Sequence, residues 1–162
     1  MFFMFDGILL CGTNEVSLDD KGRIAIPAKF RKIIRDDSEN TCILTRSLTD
    51  RCLWLYPLTE WNKVMKTLET LPSSDRLVRS MLRTLVGGAC YSNPDAQGRI
   101  LIAPELRSAY ALNKKALLIG IGNKFELWSD TEYQAQLEND NEILRASSES
   151  LSEHPGLGNL KL

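Results

Sequence analysis

Two short stretches of this chain carry the same chemical groups in the same order. Residues 18–31 run Leu-Asp-Asp-Lys-Gly-Arg-Ile-Ala-Ile-Pro-Ala-Lys-Phe-Arg, and residues 94–107 run Pro-Asp-Ala-Gln-Gly-Arg-Ile-Leu-Ile-Ala-Pro-Glu-Leu-Arg. Asp19, Gly22, Arg23 and Arg31 of the first recur as Asp95, Gly98, Arg99 and Arg107 of the second. In an Asp-x-x-Gly-Arg loop the glycine permits a positive φ at a tight turn. The aspartate can accept hydrogen bonds from the turn's own backbone. The arginine then enters a strand whose rigidity aims its fork, which suits phosphate oxygens or the O6/N7 edge of guanine. Lys21 adds a cation to the first loop where Gln97 stands in the second, so the first is the better candidate for nucleic acid. Two other uses of these residues stay open. Asp19 could pair with Arg23, and Asp95 with Arg99, simply to hold the turn, an exposed ion pair contributing about 0–1 kcal/mol. Asp19 and Asp95 could also share a proton as an aspartyl dyad. Asp20-Lys21 and Ala96-Gln97 argue against the dyad, because they stand where a small hydroxyl residue and a glycine belong.

Other chemistries find little support. His154 is the single histidine and falls near the end of the chain, which removes Ser-His and Cys-His nucleophile systems. No phosphate-cradling glycine motif is present. Cys11, Cys42, Cys52 and Cys90 form no Cys-x-x-Cys pair, so neither a zinc site nor dithiol chemistry is expected, and reduced thiols in the cytosol are. The expectation is a protein with no catalytic residues, metal or cofactor.

The elements that must position the loops also repeat. Ile24–Ile26 and Ile100–Ile102 suit strands, and Pro27-Ala28 and Ala103-Pro104 open short helices. Two further strands follow in each copy, Cys42–Thr45 with Cys52–Tyr56 and Ala116–Ile119 with Phe125–Trp128. Gly120-Ile121-Gly122-Asn123 reads as the hairpin turn of the second pair. A longer helix closes each copy, with Thr59 and Thr131 as N-caps. Trp61, Val64, Met65 and Leu68 mark a buried helix face. Pro72–Asp75 starts a joining helix that ends at Gly87-Gly88. Arg76, Arg79 and Arg83 lie on one side of it, available to phosphates, to a neighbouring subunit or to solvent. Leu77, Met81, Leu82, Leu85 and Val86 lie on the other. The division expected is an extension and start of the first strand at 1–7, a first repeat at 8–71, the joining helix at 72–88, a second repeat at 89–144, and a flexible tail at 145–162.

Of 162 residues, 43% are hydrophobic, enough for one packed domain without staples. The apolar start carries Asp6 and lacks a basic leader, which makes it a poor signal peptide. No run reaches the length of a membrane span. The formal charge of −1 is unusual for a nucleic-acid binder. Its distribution is uneven, however: Lys21, Arg23, Lys29, Arg31, Lys32 and Arg35 cluster, while Glu138, Asp140, Glu142, Glu149 and Glu153 gather toward the end.

Taken together, the two Asp-x-x-Gly-Arg units, the Tyr56-Pro57-Leu58-Thr59-Glu60-Trp61 run and Asn123-Lys124-Phe125-Glu126-Leu127-Trp128 resemble the MraZ family. These are bacterial transcriptional regulators related to the AbrB/SpoVT swapped-hairpin DNA-binding domains. The resemblance spans roughly Met4 to Leu144, and Met4-Phe5-Asp6-Gly7 is similar to the family's usual start, implying that Met1–Phe3 is an upstream extension. It implies an α+β fold of two tandem pseudo-symmetric copies of a small β-barrel unit with flanking helices. It also implies a cytoplasmic, nucleoid-associated ring of about eight to twelve subunits. Such a ring would bind double-stranded DNA at guanine-rich direct repeats upstream of its own cell division and cell wall operon. The DNA-contacting arginine of the family falls on Arg23, beside Lys21, with Arg99 as its counterpart. Asp19, Gly22, Asp95 and Gly98 then shape the loops. A ring whose partners are proteins, with the arginines pairing between subunits, is the competing reading.

Overall fold

The computed structural model describes residues 10–147 and 151–157. Two compact units divide the chain, Met1–Asp130 and Thr131–Leu162. Among the described residues the first unit holds eight strands: β1 Leu10–Ser17, β2 Arg23–Ala25, β3 Cys42–Arg46, β4 Leu53–Pro57, β5 Cys90–Ser92, β6 Arg99–Leu101, β7 Lys115–Gly122 and β8 Phe125–Ser129. Between them lie α1 Ala28–Asp37, α2 Leu58–Leu68, α3 Arg76–Leu85 and α4 Pro104–Ala109. The 17-residue helix α5, Asp130–Ala146, begins at the last residue of the first unit and otherwise belongs to the second, with a short 3₁₀ turn at Leu151–Glu153. The class is α+β, as expected. The possible start at Met4 and the first-strand residues before Leu10 lie outside the described residues, as does much of the expected tail.

The repeats do not stand as separate bodies. Six strands form one antiparallel sheet in the order β1-β7-β8-β4-β3-β5. The opening strand of the first repeat therefore pairs with β7 of the second, from Leu10 opposite Gly122 to Ser17 opposite Lys115. Reciprocally, β5 of the second repeat pairs with β3 of the first. At the centre β4 and β8 pair across the pseudo-twofold, with Trp54 opposite Glu126. The remaining strands, β2 and β6, pair with each other as a separate two-stranded ribbon.

Two apolar layers hold this arrangement. One joins the ribbon and helices α1 and α4 to the sheet through Ile24, Ile26, Phe30, Ile34, Leu55, Ile100, Ile102, Leu106 and Phe125, all buried. Phe30 and Ile34, one helical turn apart on α1, supply its inward face, and Phe30 meets Phe125 edge-on with centroids 4.9 Å apart. The other layer packs Trp61 of α2 and Leu85 of α3 on Ile43 and Tyr56, with Val64, Met65 and Leu68 alongside. Of the periodic stripe on α2, Trp61 is buried, and Val64, Met65 and Leu68 are partly buried against the same layer.

Three local expectations are corrected. Thr59 is not an N-cap: α2 starts at Leu58 behind Pro57. The hydroxyl of Ser38, at the end of α1, accepts from the Thr59 backbone N–H at 3.3 Å and shares a 2.5 Å hydrogen bond with the Thr59 hydroxyl. Thr131 likewise falls inside α5, which begins at Asp130. Gly120, Ile121 and Gly122 belong to β7 rather than to a turn, and the hairpin closes through Asn123 and Lys124. The cause is β1, which lies so close that a Cβ on Gly120 would sit 2.5 Å from the Cys11 nitrogen. On α3, Leu77 is 78% exposed, because that helix docks through its last turn, where Leu85 is buried and its carbonyl accepts from Thr45 Oγ1 at 2.6 Å.

Candidate nucleic-acid interface

Each Asp-x-x-Gly-Arg loop is built around its aspartate. Asp19 Oδ1 accepts from the backbone N–H groups of Lys21 and Arg23 at 3.0 and 2.9 Å, and Oδ2 accepts from Arg23 Nε at 2.7 Å. Asp95 does the same for Gln97 N, Arg99 N and Arg99 Nε at 3.0, 2.9 and 2.8 Å. Backbone bonds close both turns, from Gly22 N to Asp19 O at 2.9 Å and from Gly98 N to Asp95 O at 2.8 Å. The glycines carry φ of +79° and +72°, the left-handed conformation that the turn requires of them. The backbone N–H of Arg23 is the largest cause holding the Asp19 carboxyl below its ordinary range. Desolvation opposes it, while the Arg23 guanidinium and the Lys21 N–H add to it. Asp95 is lowered in the same way by Arg99 N–H, against desolvation, with help from the Arg99 guanidinium and Gln97 N–H.

The aspartates are turn braces and arginine clamps. A shared-proton dyad needs one carboxyl raised by the other's charge, and both are lowered. Arg23 Nη1 also lies 4.0 Å from Asp95 Oδ2, a cation where a dyad would need its proton.

The two loops sit at opposite ends of the β2–β6 ribbon, in register Arg23–Leu101, Ile24–Ile100 and Ala25–Arg99. The ladder continues outward, since Ile26 N donates to Gly98 O at 2.8 Å and Ile102 N to Gly22 O at 2.9 Å. Ile24 and Ile100 point into the core, at 0% and 1% exposure. By the alternation of strand side chains, Arg23, Ala25, Arg99 and Leu101 share the outer face. With each Nε committed to an aspartate, any further contact of the two forks falls to their terminal nitrogens. Their side chains are 27% exposed for Arg23 and 33% for Arg99. Arg99 Nη2 also donates to Gln97 Oε1 at 3.2 Å, whereas Lys21 is exposed beside the first loop.

Arg31 and Arg107 stand out in the sequence as a recurring pair, and Arg31 also as a member of the basic cluster. Each braces the other repeat's loop. Arg31 Nε donates to Ile26 O at 2.7 Å, and its side chain lies where a Cβ on Gly98 would fall. Arg107 Nε donates to Ile102 O at 3.0 Å, and a Cβ on Gly22 would sit 2.5 Å from its Cζ. The glycines are therefore required twice, by φ and by a guanidinium packed against them. Of the joining-helix arginines, Arg79 turns back to donate to Ser73 O and Ser74 O at 3.2 and 2.6 Å, while Arg76 and Arg83 are exposed. Among the described residues, no group of His, Cys, Asp and Glu is arranged to hold a metal ion.

The duplication is also matched in sequence by a known family. The family described as "MraZ protein, putative antitoxin-like" matches twice, at residues 9–84 and 85–153. The chain belongs to the MraZ family. Among MraZ relatives, the "Transcriptional regulator MraZ" of Pseudoalteromonas translucida (strain TAC 125) is 39% identical over 151 residues, covering 93% of this chain and 98% of that protein. The one from Shewanella frigidimarina (strain NCIMB 400) is 41% identical over 145 residues, covering 87% and 95%. That of Saccharophagus degradans is 40% identical over 126 residues, covering 78% and 86%. The two family matches meet between Thr84 and Leu85, at the end of α3, so the joining helix counts with the first MraZ unit.

Proposed function

We propose that this protein is a sequence-specific DNA-binding transcriptional regulator in which the paired loops of the β2–β6 ribbon form the reading head. One observation carries the reading: two arginine forks, each clamped at Nε by its own turn's aspartate, stand on the outer face of a narrow antiparallel ribbon. Among the described residues, the Arg23 fork makes no hydrogen bond through its terminal nitrogens to its own loop, as Arg99 does to Gln97. A two-stranded ribbon fits the major groove, and an arginine held end-on there matches guanine O6 and N7. Lys21 neutralises phosphate beside the first loop. Arg23 and Lys21 are the principal contacts, with Arg99 as the weaker second contact. Membership of the MraZ family, and the regulatory name its relatives bear, support the same reading. Its sites are guanine-rich direct repeats upstream of its own cell division and cell wall operon, reached in the cytoplasm at the nucleoid.

A near-neutral chain gains affinity by assembly. In a ring of about eight to twelve copies, identical heads engaging repeated sites raise avidity by about 10²–10⁴. No helix among the described residues is long and apolar enough to cross a membrane, and the reading needs no cofactor. Fluorescence anisotropy on duplexes carrying one or three upstream repeats, with a scrambled control and a salt series, tests it. Binding should be weak to one repeat, strong to three, and fall steeply with salt. Affinity equal to that for scrambled DNA would refute the regulator and direct the search to protein partners. Equal affinity for one and three repeats would refute the avidity.

A further inference from the structure

The outer face of the ribbon holds one residue that neither the turn nor the core explains. Arg23, Ala25 and Arg99 are half-buried there, but Leu101 is 56% exposed and stands directly opposite Arg23. Side chains opposite one another on antiparallel strands have Cβ atoms about 4.5–5.5 Å apart, so Leu101 and the Arg23 stem are immediate neighbours. The fold does not demand a leucine at such a place. Its pseudo-symmetric counterpart is Ala25, set opposite Arg99 in the same register. A lone exposed leucine is ordinary on a protein surface; one on the outer face of a ribbon, in the end pair with Arg23 and two residues along its strand from Arg99, is not.

The flanking cations select a polyanion, and the leucine asks for an apolar group on it. In the major groove of DNA that group is the C5 methyl of thymine, since the other base-edge groups there are hydrogen-bond donors or acceptors. We infer that Leu101 is a specificity-determining residue that packs on a thymine methyl within about two base pairs of the base engaged by Arg23, near the spacing of opposed strand residues. This rests on the DNA-binding reading above. It also makes the head asymmetric: the Arg23 end reads a guanine together with a thymine, while at the Arg99 end the shorter Ala25 stands in the leucine's place.

The test replaces thymine by deoxyuridine in the upstream duplex, which deletes the methyl and keeps base pairing. Wild-type affinity, read by anisotropy, should fall about three- to fivefold for each methyl lost from a contacted repeat. Leu101→Ala should bind thymine DNA more weakly and be indifferent to the replacement. Leu101→Met, which keeps an apolar tip, should retain the discrimination, and light scattering should give both variants the wild-type mass. Specific wild-type binding that is indifferent to uracil overturns this inference and leaves the regulator standing. So does Leu101→Ala remaining as uracil-sensitive as wild type, or changing its assembly mass, which would assign the leucine to contacts between copies. Binding of wild type no better than to scrambled DNA overturns both.

Discussion

The two loops share a backbone and differ at their tips. Asp19 and Asp95 make the same three hydrogen bonds within 0.1 Å of each other. Beyond that scaffold the ends diverge. Arg99 is tied to Gln97 inside its own turn, whereas Arg23 reaches toward the opposite loop's Asp95, with Lys21 exposed beside it and Leu101 across from it. The two copies keep what shapes the turn and differ at the tips, which on the proposed reading are what meets DNA. The difference therefore separates structure from recognition without any need to compare other chains.

The sharpest way to break this comparison is to truncate the two arginines in turn. Arg23→Ala should cost at least about 100-fold in affinity for repeated sites, because each missing bidentate contact is worth about 1–3 kcal/mol and the loss recurs in every linked copy. Arg99→Ala should cost about tenfold or less, already having an internal partner. Anisotropy measures both, and equal losses would show that the tips do not differ in use. Neither change should alter the assembly mass; loss of assembly in Arg23→Ala would instead make that arginine structural.

The shared scaffold makes the opposite prediction, equality. Gly22→Ala and Gly98→Ala each force a side chain into positive φ and against a guanidinium. Each should destabilise the fold by about 1–3 kcal/mol, a fall of several degrees in melting temperature. If thermal unfolding shows only one of them to be damaging, the cross-packing by Arg31 and Arg107 is not equivalent.

A smaller effect follows from those braces, and it crosses between repeats. Arg107→Ala frees the first loop, so it should weaken DNA binding several-fold, while Arg31→Ala, which frees the second, should change it less. The reverse order would contradict the division of labour between the tips.

The smallest expected effect is that of pH. Both aspartates are held below the ordinary value of 3.8. A lowered carboxyl lends its stability above the unfolded value and loses it only as pH falls through the folded one. DNA binding should therefore show no step from Asp19 or Asp95 between about pH 8 and 5. An acid-side loss within that window, absent in Asp95→Asn, would mean that Asp95 is not clamped as described.

Turn chemistry was legible in the sequence because it is local: an aspartate, a glycine and an arginine within five positions specify their own hydrogen bonds. Most strands and the apolar stripe on α2 were legible for the same reason. Pairing of β1 with β7 was not, since nothing in Leu10–Ser17 distinguishes a partner in its own repeat from one in the other. Gly120 misled by the same route, as its glycine answers a strand from a distant segment rather than a turn. The roles of Arg31 and Arg107 stayed hidden although their recurrence was plain, because each acts on the loop of the opposite repeat. Leu101 read as one more strand residue until the ribbon register put it opposite Arg23.

One measurement bears most directly on the claim that the Arg23 fork reads a guanine edge. Anisotropy would compare wild type and Arg23→Ala on the upstream duplex and on the same duplex with 7-deazaguanine, which lacks the N7 acceptor. Wild type should lose about tenfold or more on the deaza duplex, and Arg23→Ala, already weak, should not distinguish the two. A wild type that binds both duplexes equally well would contradict the claim and leave Arg23 as a phosphate contact or a brace of its own turn.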